Sequence, residues 1–376
     1  MDFGRKMIPI YKPYLPSNSL KYAHEAIDST WISSSGRYLE KATELLADYL
    51  GTKYVQLVNN GTSATHLVSK AVSFKDPNIN KIILPNNVYV AAWNSFLYDK
   101  EHELILKEPS LSTWNIDLEN DIPLDETTAV CFVHNLGNII NVPKFMRENP
   151  GVVCIEDNCE GLSGEYEGHK SGTKSLASSL SFFGNKTITS GEGGAVVVAD
   201  EDTYEYLKCI QGQGQSKERY VHSYLGYNYR MTNIQAAILT GQLEIISEIL
   251  EMKSGLFNFY RDGLSSVDGV SLQSQEEGTT HSNWMFSVRI HGSSGYEESS
   301  RFLSERGIET RPMFYPSSRH DHIRESSLVT KGTETNSEIL NRECIMLPSF
   351  PELKKKELTH IVESIKSLAT KVQSQR

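Results

Sequence analysis

Apolar positions along this chain fall into two rhythms that alternate for most of its length. Between Leu39 and Leu50, Leu39, Ala42, Leu46 and Tyr49 recur at helical steps and Gly51 follows where a helix ends, which predicts a helix. The step then shortens. Lys53 to Val58 (KYVQLV) reads as a strand, Asn59-Asn60-Gly61 as a turn, and a second helix runs from about Thr62 to Val72 with Ala64, Leu67, Val68 and Ala71 as its buried stripe. Short apolar strands recur at Lys81 to Leu84, Glu103 to Lys107, Thr128 to Val133, Val152 to Ile155, Ser179 to Phe183 and Gly194 to Ala199. A long amphipathic helix is expected from Thr232 to about Met252, where Ile234, Ala237, Ile238, Leu243, Ile246 and Leu250 keep helical intervals. Strands separated by helices in this way predict an α/β fold with a mostly parallel sheet flanked by helices. Such sheets bind ligands at the carboxyl ends of their strands. A boundary just after the long helix gives a large α/β domain, residues 1–252, and a smaller C-terminal domain, residues 253–376.

Composition narrows the function classes. Across 376 residues the formal net charge is -10, and no Lys/Arg cluster has the density or aromatic interleaving of a nucleic-acid patch. Nucleic acid is excluded as the expected partner. The opening MDFGRKMIPIYKP has no apolar run long enough for a signal peptide, and no stretch elsewhere approaches a membrane span, so a cytosolic, membrane-free protein is expected. Five cysteines (Cys131, Cys154, Cys159, Cys209, Cys344) are odd in number and scattered, which reads as reduced core residues and not as a disulfide or zinc framework.

Candidate chemistry falls at the strand ends. Lys186 follows an apolar strand and precedes a turn, TITSGEGG, whose Gly191, Gly193 and Gly194 leave room for a bulky group. A partly desolvated lysine amine there can attack a carbonyl; the plain alternative is a surface lysine before a tight turn. Asp157 ends another strand within Glu156-Asp157-Asn158-Cys159-Glu160, where it can pair with a protonated ring nitrogen or simply cap a helix. Asn60-Gly61-Thr62-Ser63 opens a helix whose free amides favour a phosphate, and Ser181 can turn its hydroxyl the same way; caps at Thr62 or Ser63 without a ligand are the alternative. Tyr89, just past the strand ending at Leu84, is placed to stack on a ring or to fill the core. Together these groups match pyridoxal 5'-phosphate: phosphate at a helix start, ring nitrogen at an aspartate, aldehyde at a lysine.

The chain is also similar, nearly end to end, to the DegT/DnrJ/StrS sugar aminotransferases. SFFGNKTITSGEGG from Ser181 resembles their cofactor-lysine motif, and WISSSGRYLEK, NGTSATHL, VHNLGN, IEDNCEG, GYNYRMTNIQAA, HSNWMFSV, RPMFYP and LPSFPEL are further family-like blocks in order. The resemblance implies the type I (aspartate) aminotransferase fold with a smaller α+β C-terminal domain, and a homodimer with shared active sites. Within it, Lys186 bonds the cofactor aldehyde, Asp157 partners the ring nitrogen, Glu160 lies beside the ring and Tyr89 stacks on it. Gly61, Thr62, Ser63 and Ser181 hold the phosphate, helped by Asn228 of the neighbouring subunit. Trp31, Ser33, Ser34, His222, Arg230 and Tyr315 are candidate substrate contacts; Arg230 can equally be a structural ion-pair partner and His222 a structural hydrogen-bonding residue.

This chain departs from the family at Asn158-Cys159, where a small pair is usual, at Ser175-Leu176 in place of Gly-Asp, and at Val88 in place of threonine. One family branch carries histidine instead of the lysine and removes a hydroxyl group. Lysine here points to amine transfer from L-glutamate to a ketone, and overall similarity points to the 4-keto group of a nucleotide-linked 6-deoxyhexose, as in perosamine or viosamine synthesis. A 3-keto sugar, an inositol-like ketone, or a cofactor-binding regulator without turnover are the other readings.

Overall fold

In the computed structural model, which describes residues 7–118 and 124–375, the alternating pattern becomes one eight-stranded sheet. Its strands are β1 (Val55–Val58), β2 (Lys81–Pro85), β3 (Glu103–Lys107), β4 (Thr128–Val133), β5 (Val153–Asp157), β6 (Ala177–Ser181), β7 (Gly194–Val198) and β8 (Val329–Lys331). They lie in the order β1-β7-β6-β5-β4-β2-β3-β8. All run the same way except β7, which is antiparallel to both its neighbours. Every position of β4, β6 and β7 is buried, because helices cover both faces, and these strands therefore read as unbroken apolar or small-residue runs.

One face packs Ile82, Leu84, Cys131 and Ile155 against Ala64, Leu67, Val68 and Ala71 of the helix Gly61–Lys75. The other places Leu57, Leu180, Ala195 and Val197 against the helices Arg37–Leu50 and Asn233–Leu243. Strand register then sets the site. Val58 opposes Gly194, Gly194 opposes Ser181, and Asp157 opposes Ser179, so the ends of β1, β6 and β5 line up along one edge of the sheet. A smaller antiparallel sheet (Val270–Ser271, Ser287–Ile290, Cys344–Met346, Arg311–Pro312) packs with the helices Tyr296–Ser304 and Lys355–Ser374. Its core also takes in Ile8, Leu256, Phe257 and Tyr260.

The single helix expected over Thr232 to Met252 is two helices, Asn233–Leu243 and Ile246–Leu264. Ile245 leaves helical geometry (φ -122°, ψ 23°), while Leu243, Ile246 and Ile249 stay buried across the break. The apolar spacing runs through the kink and hides it from the sequence. Position 252 thus falls inside the second helix, and β8, far along the chain, returns to pair with β3. Strand β5 reaches Asp157, two residues beyond its expected end. All five cysteines are free thiols. Among the described residues no helix is long and apolar enough to cross a membrane, and no group of three or more His, Cys, Asp or Glu side chains could hold a metal ion.

Candidate active site

Lys186 sits at the tip of a turn that leaves β6 and returns to β7. Its own amide donates to Phe183 O at 2.9 Å, and Phe182 closes the base by donating to Gly193 O at 2.8 Å. Gly191 takes φ +85°, a conformation that disfavours any side chain. Two distant residues clamp this turn: the Tyr11 hydroxyl donates to Lys186 O at 2.8 Å, and Trp284 Nε1 donates to Asn185 O at 2.8 Å. The amine is left in a small compartment, 4.1 Å from the centre of the Trp284 ring and 3.8 Å from Glu160 Oε1.

Glu160 is buried, and its other oxygen accepts the Leu136 amide at 2.8 Å. Burial pushes its carboxyl up to about 7, against the opposing pull of Lys186. Leu136 presents that amide from a left-handed backbone (φ 58°), held from beneath by a fully buried network. His134 Nε2 meets Glu156 Oε2 at 2.8 Å, and Tyr166 donates to Glu156 Oε1 at 3.1 Å. Since His134 Nδ1 accepts from the Ile140 amide at 3.2 Å, its proton lies on Nε2, toward the carboxylate.

Asp157 ends β5 and is followed by turns, so it caps no helix. Its Oδ1 accepts from the Cys159 amide at 3.1 Å and from the Ser179 hydroxyl at 3.4 Å. The Cys159 thiol stays protonated, because burial and the neighbouring Asp157 push it up.

Across the sheet edge, the helix Gly61–Lys75 is capped by Asn60, whose side chain accepts from the Ser63 amide at 2.8 Å. Neither Thr62 nor Ser63 serves as the cap. The amides of Gly61 and Thr62 and the two hydroxyls stand at the positive end of the helix dipole. Gly61 lies against Ser181 so closely that an added Cβ would come within 2.8 Å of Ser181 Cβ. Donors for a phosphate, a carboxylate for a ring nitrogen and an amine for an aldehyde thus converge along one edge. That donor set fits pyridoxal 5'-phosphate, and Glu160 adds a carboxyl beside the amine.

The remaining expected residues divide into two groups. Trp31, Ser33, Ser34 and Arg230 come together: Arg230 Nε donates to Ser34 Oγ at 3.2 Å, and Arg230 bridges to Val58 just before the capped helix. Their organiser is Asn233, which donates to Trp31 O at 2.7 Å, sends its amide to Ser33 O at 2.6 Å and accepts from the Tyr38 amide at 3.0 Å. Among the described residues no hydrogen bond, ion pair or ring contact ties the others to Lys186. Tyr89 is 61% exposed, 6.2 Å from the Phe314 ring. Tyr315 lies under Arg319, and Asn228 and His222 sit exposed on the arm between residues 212 and 230, where His222 Nδ1 meets Gln213 O at 2.9 Å. Asn233, Tyr11, Trp284 and the His134–Glu156 pair had no assigned role in the sequence reading. For Glu156 a signal existed: alternation along β5 turns it to the opposite face from Asp157.

Fold and site define a pyridoxal-phosphate enzyme of fold type I, an aminotransferase. Residues 13–366 match the DegT/DnrJ/EryC1/StrS aminotransferase family, and the chain belongs to that family. It is 34% identical over 368 residues to a protein named GDP-perosamine synthase from Escherichia coli O157:H7, covering 96% of this chain and 98% of the relative. A protein of the same name from Vibrio cholerae is 33% identical over 368 residues, covering 96% and 99%. Among solved structures, Helicobacter pylori PseC, an aminotransferase involved in the biosynthesis of pseudoaminic acid, superposes with a TM-score of 0.88 over 99% of this chain and 100% of that one. At 22% identity that likeness speaks for the fold.

Proposed function

We propose that this protein transfers an amino group from L-glutamate to the C4 keto group of a GDP-linked 4-keto-6-deoxyhexose, giving a 4-amino-4,6-dideoxy sugar nucleotide of the perosamine type. The observation that carries the reading is the amine of Lys186 3.8 Å from Glu160, whose carboxyl also feels Asp157, beside the Gly61–Ser181 cradle. Two relatives named for GDP-perosamine support the substrate class.

In this reading Gly61, Thr62, Ser63 and Ser181 hold the cofactor phosphate, Asp157 holds the ring nitrogen and Tyr89 covers the ring. Bound there, pyridoxal phosphate supplies an electrophilic carbonyl and a ring that takes up the electron pair left when a substrate carbon loses its proton. Asp157 would face the ring nitrogen, with its Oδ1 fixed by the Cys159 amide and the Ser179 hydroxyl. With the cofactor bound, the freed Lys186 amine would be the acid and base that takes up and returns the substrate proton in each half of the exchange. Glu160, poised near neutrality, holds or returns a proton beside that amine. Trp31, Ser33, Ser34 and Arg230 form one wall for the sugar nucleotide, with Arg230 facing a carboxylate or diphosphate, and Tyr315 and His222 lie further out.

A homodimer completes the site in this reading. Asn228 would reach the phosphate of a second copy, and the arm that carries it leaves Leu225 91% and Tyr220 76% exposed, apolar surface that a second copy would cover.

The deciding experiment incubates the loaded protein with glutamate and a panel of nucleotide ketosugars, and reads the amino sugar by mass spectrometry. Amine should appear with the GDP-linked 4-keto sugar and vanish in Lys186→Ala. Amination of 3-keto or inositol-type acceptors alone would overturn the C4 assignment, and no amination of any acceptor would return the chain to a cofactor-binding regulator.

A further inference from the structure

Amine transfer requires Lys186 to leave the cofactor once in every half-reaction, and the structure shows a place for the free amine. Its nitrogen lies 4.1 Å from the centre of the Trp284 ring, within the range where an aromatic face attracts a cation. That ring is fixed at both ends. Nε1 is held by Asn185 O, the residue next to Lys186, and the Trp284 carbonyl accepts from Lys253 Nζ at 2.8 Å. Lys253 is fully buried and, among the described residues, makes no ion pair; its second bond goes to Ser349 O, and the Tyr11 and Phe257 rings lie 5.5 Å from its nitrogen. Tyr11 in turn holds Lys186 O. Trp284 itself is only 5% exposed, so water competes little for the amine there.

We propose that Trp284 is a catalytic residue whose indole face holds the charged Lys186 amine whenever that amine is not bonded to the cofactor. The proposal rests on the reading of Lys186 as the attachment residue. Attachment forms a bond between Nζ and the aldehyde carbon, releases one water, and sends the ammonium proton to solvent or to Glu160. It also pulls the nitrogen off the indole. Binding of the amine form of the cofactor leaves Lys186 free and costs nothing at Trp284. The indole therefore biases the protein against the attached aldehyde form and eases release of the lysine.

Equilibrium dialysis of the protein stripped of cofactor measures the dissociation constants of pyridoxal phosphate and pyridoxamine phosphate separately, without turnover. In Trp284→Leu the preference for the aldehyde over the amine form should rise about three- to thirtyfold, whereas Trp284→Phe, which keeps a weaker aromatic face and loses the Nε1 bond to Asn185 O, should rise by less. Fluorinated tryptophans placed at position 284 preserve shape while weakening the face, so they serve even where the leucine variant does not fold; the preference should climb stepwise with fluorine. An unchanged preference across that series overturns the role of Trp284, as does Trp284→Phe behaving like Trp284→Leu. Lys186→Ala separates the two readings: it should weaken only the aldehyde form, and if it weakens neither, attachment at Lys186 itself fails.

Discussion

Glu160 Oε1 stands 3.8 Å from Lys186 Nζ while its other oxygen is tied to the Leu136 amide, so a buried carboxyl and the amine face each other under a fixed backbone donor. Burial raises that carboxyl from 4.5 to about 7. The folded protein therefore holds a proton there that the unfolded chain has released. Stability from this group is fully present below 4.5 and is lost as pH rises through about 7. Denaturant titrations of cofactor-free protein should show it, with an upper bound of about 3 kcal/mol, and Glu160→Gln should flatten the slope in that window.

Gly61 against Ser181 gives a second test. Gly61→Ala puts a Cβ within 2.8 Å of Ser181 Cβ and within 3.2 Å of Cys159 Sγ. Loss of about 1–3 kcal/mol in thermal stability is expected, together with weakened cofactor retention. Adding Ser181→Gly should recover most of the stability but not the retention, since a phosphate donor is then missing.

Asn233 ties the loop from Trp31 to Tyr38 to the start of its own helix through side-chain bonds to Trp31 O and the Tyr38 amide. Asn233→Ala leaves the buried Tyr38 amide without its acceptor, at a cost of about 1–3 kcal/mol. If this loop forms the sugar-nucleotide wall, KM for the acceptor should rise well before that for glutamate. Equal rises for both would assign the loop a purely structural role.

Lys253 gives the opposite pH sign to Glu160. Burial holds its amine well below 10.5, so the unfolded chain binds more protons and stability rises with pH up to that value. Lys253→Met should remove this rise relative to wild type. It also strands the carbonyls of Trp284 and Ser349, so the variant should be less stable across the range.

Much of this molecule is local and hence readable from the chain. Leu39, Ala42 and Leu46 repeat because one helix face is buried, and the central strands read as unbroken runs of apolar or small residues because both faces of the sheet are covered there. Asp157, Ser181 and Lys186 stand at strand ends or in the turn just beyond, where alternation gives way to polar or glycine-rich sequence. The break at Ile245 was invisible, because apolar spacing is preserved across it.

What tertiary structure alone decided is how those groups are held. Tyr11 reaches Lys186 across 175 positions, Trp284 reaches Asn185 across 99, and Asn233 reaches Trp31 across 202. No local period encodes such pairs, since each depends on the sheet order and on the second core packing beside the Lys186 turn. The sequence by itself determined which chemical groups this protein carries at its strand ends. Only the packing of distant segments decided that the Lys186 amine would lie between an indole face and a carboxyl pushed toward neutrality, because burial and distance exist only once the chain has closed on itself.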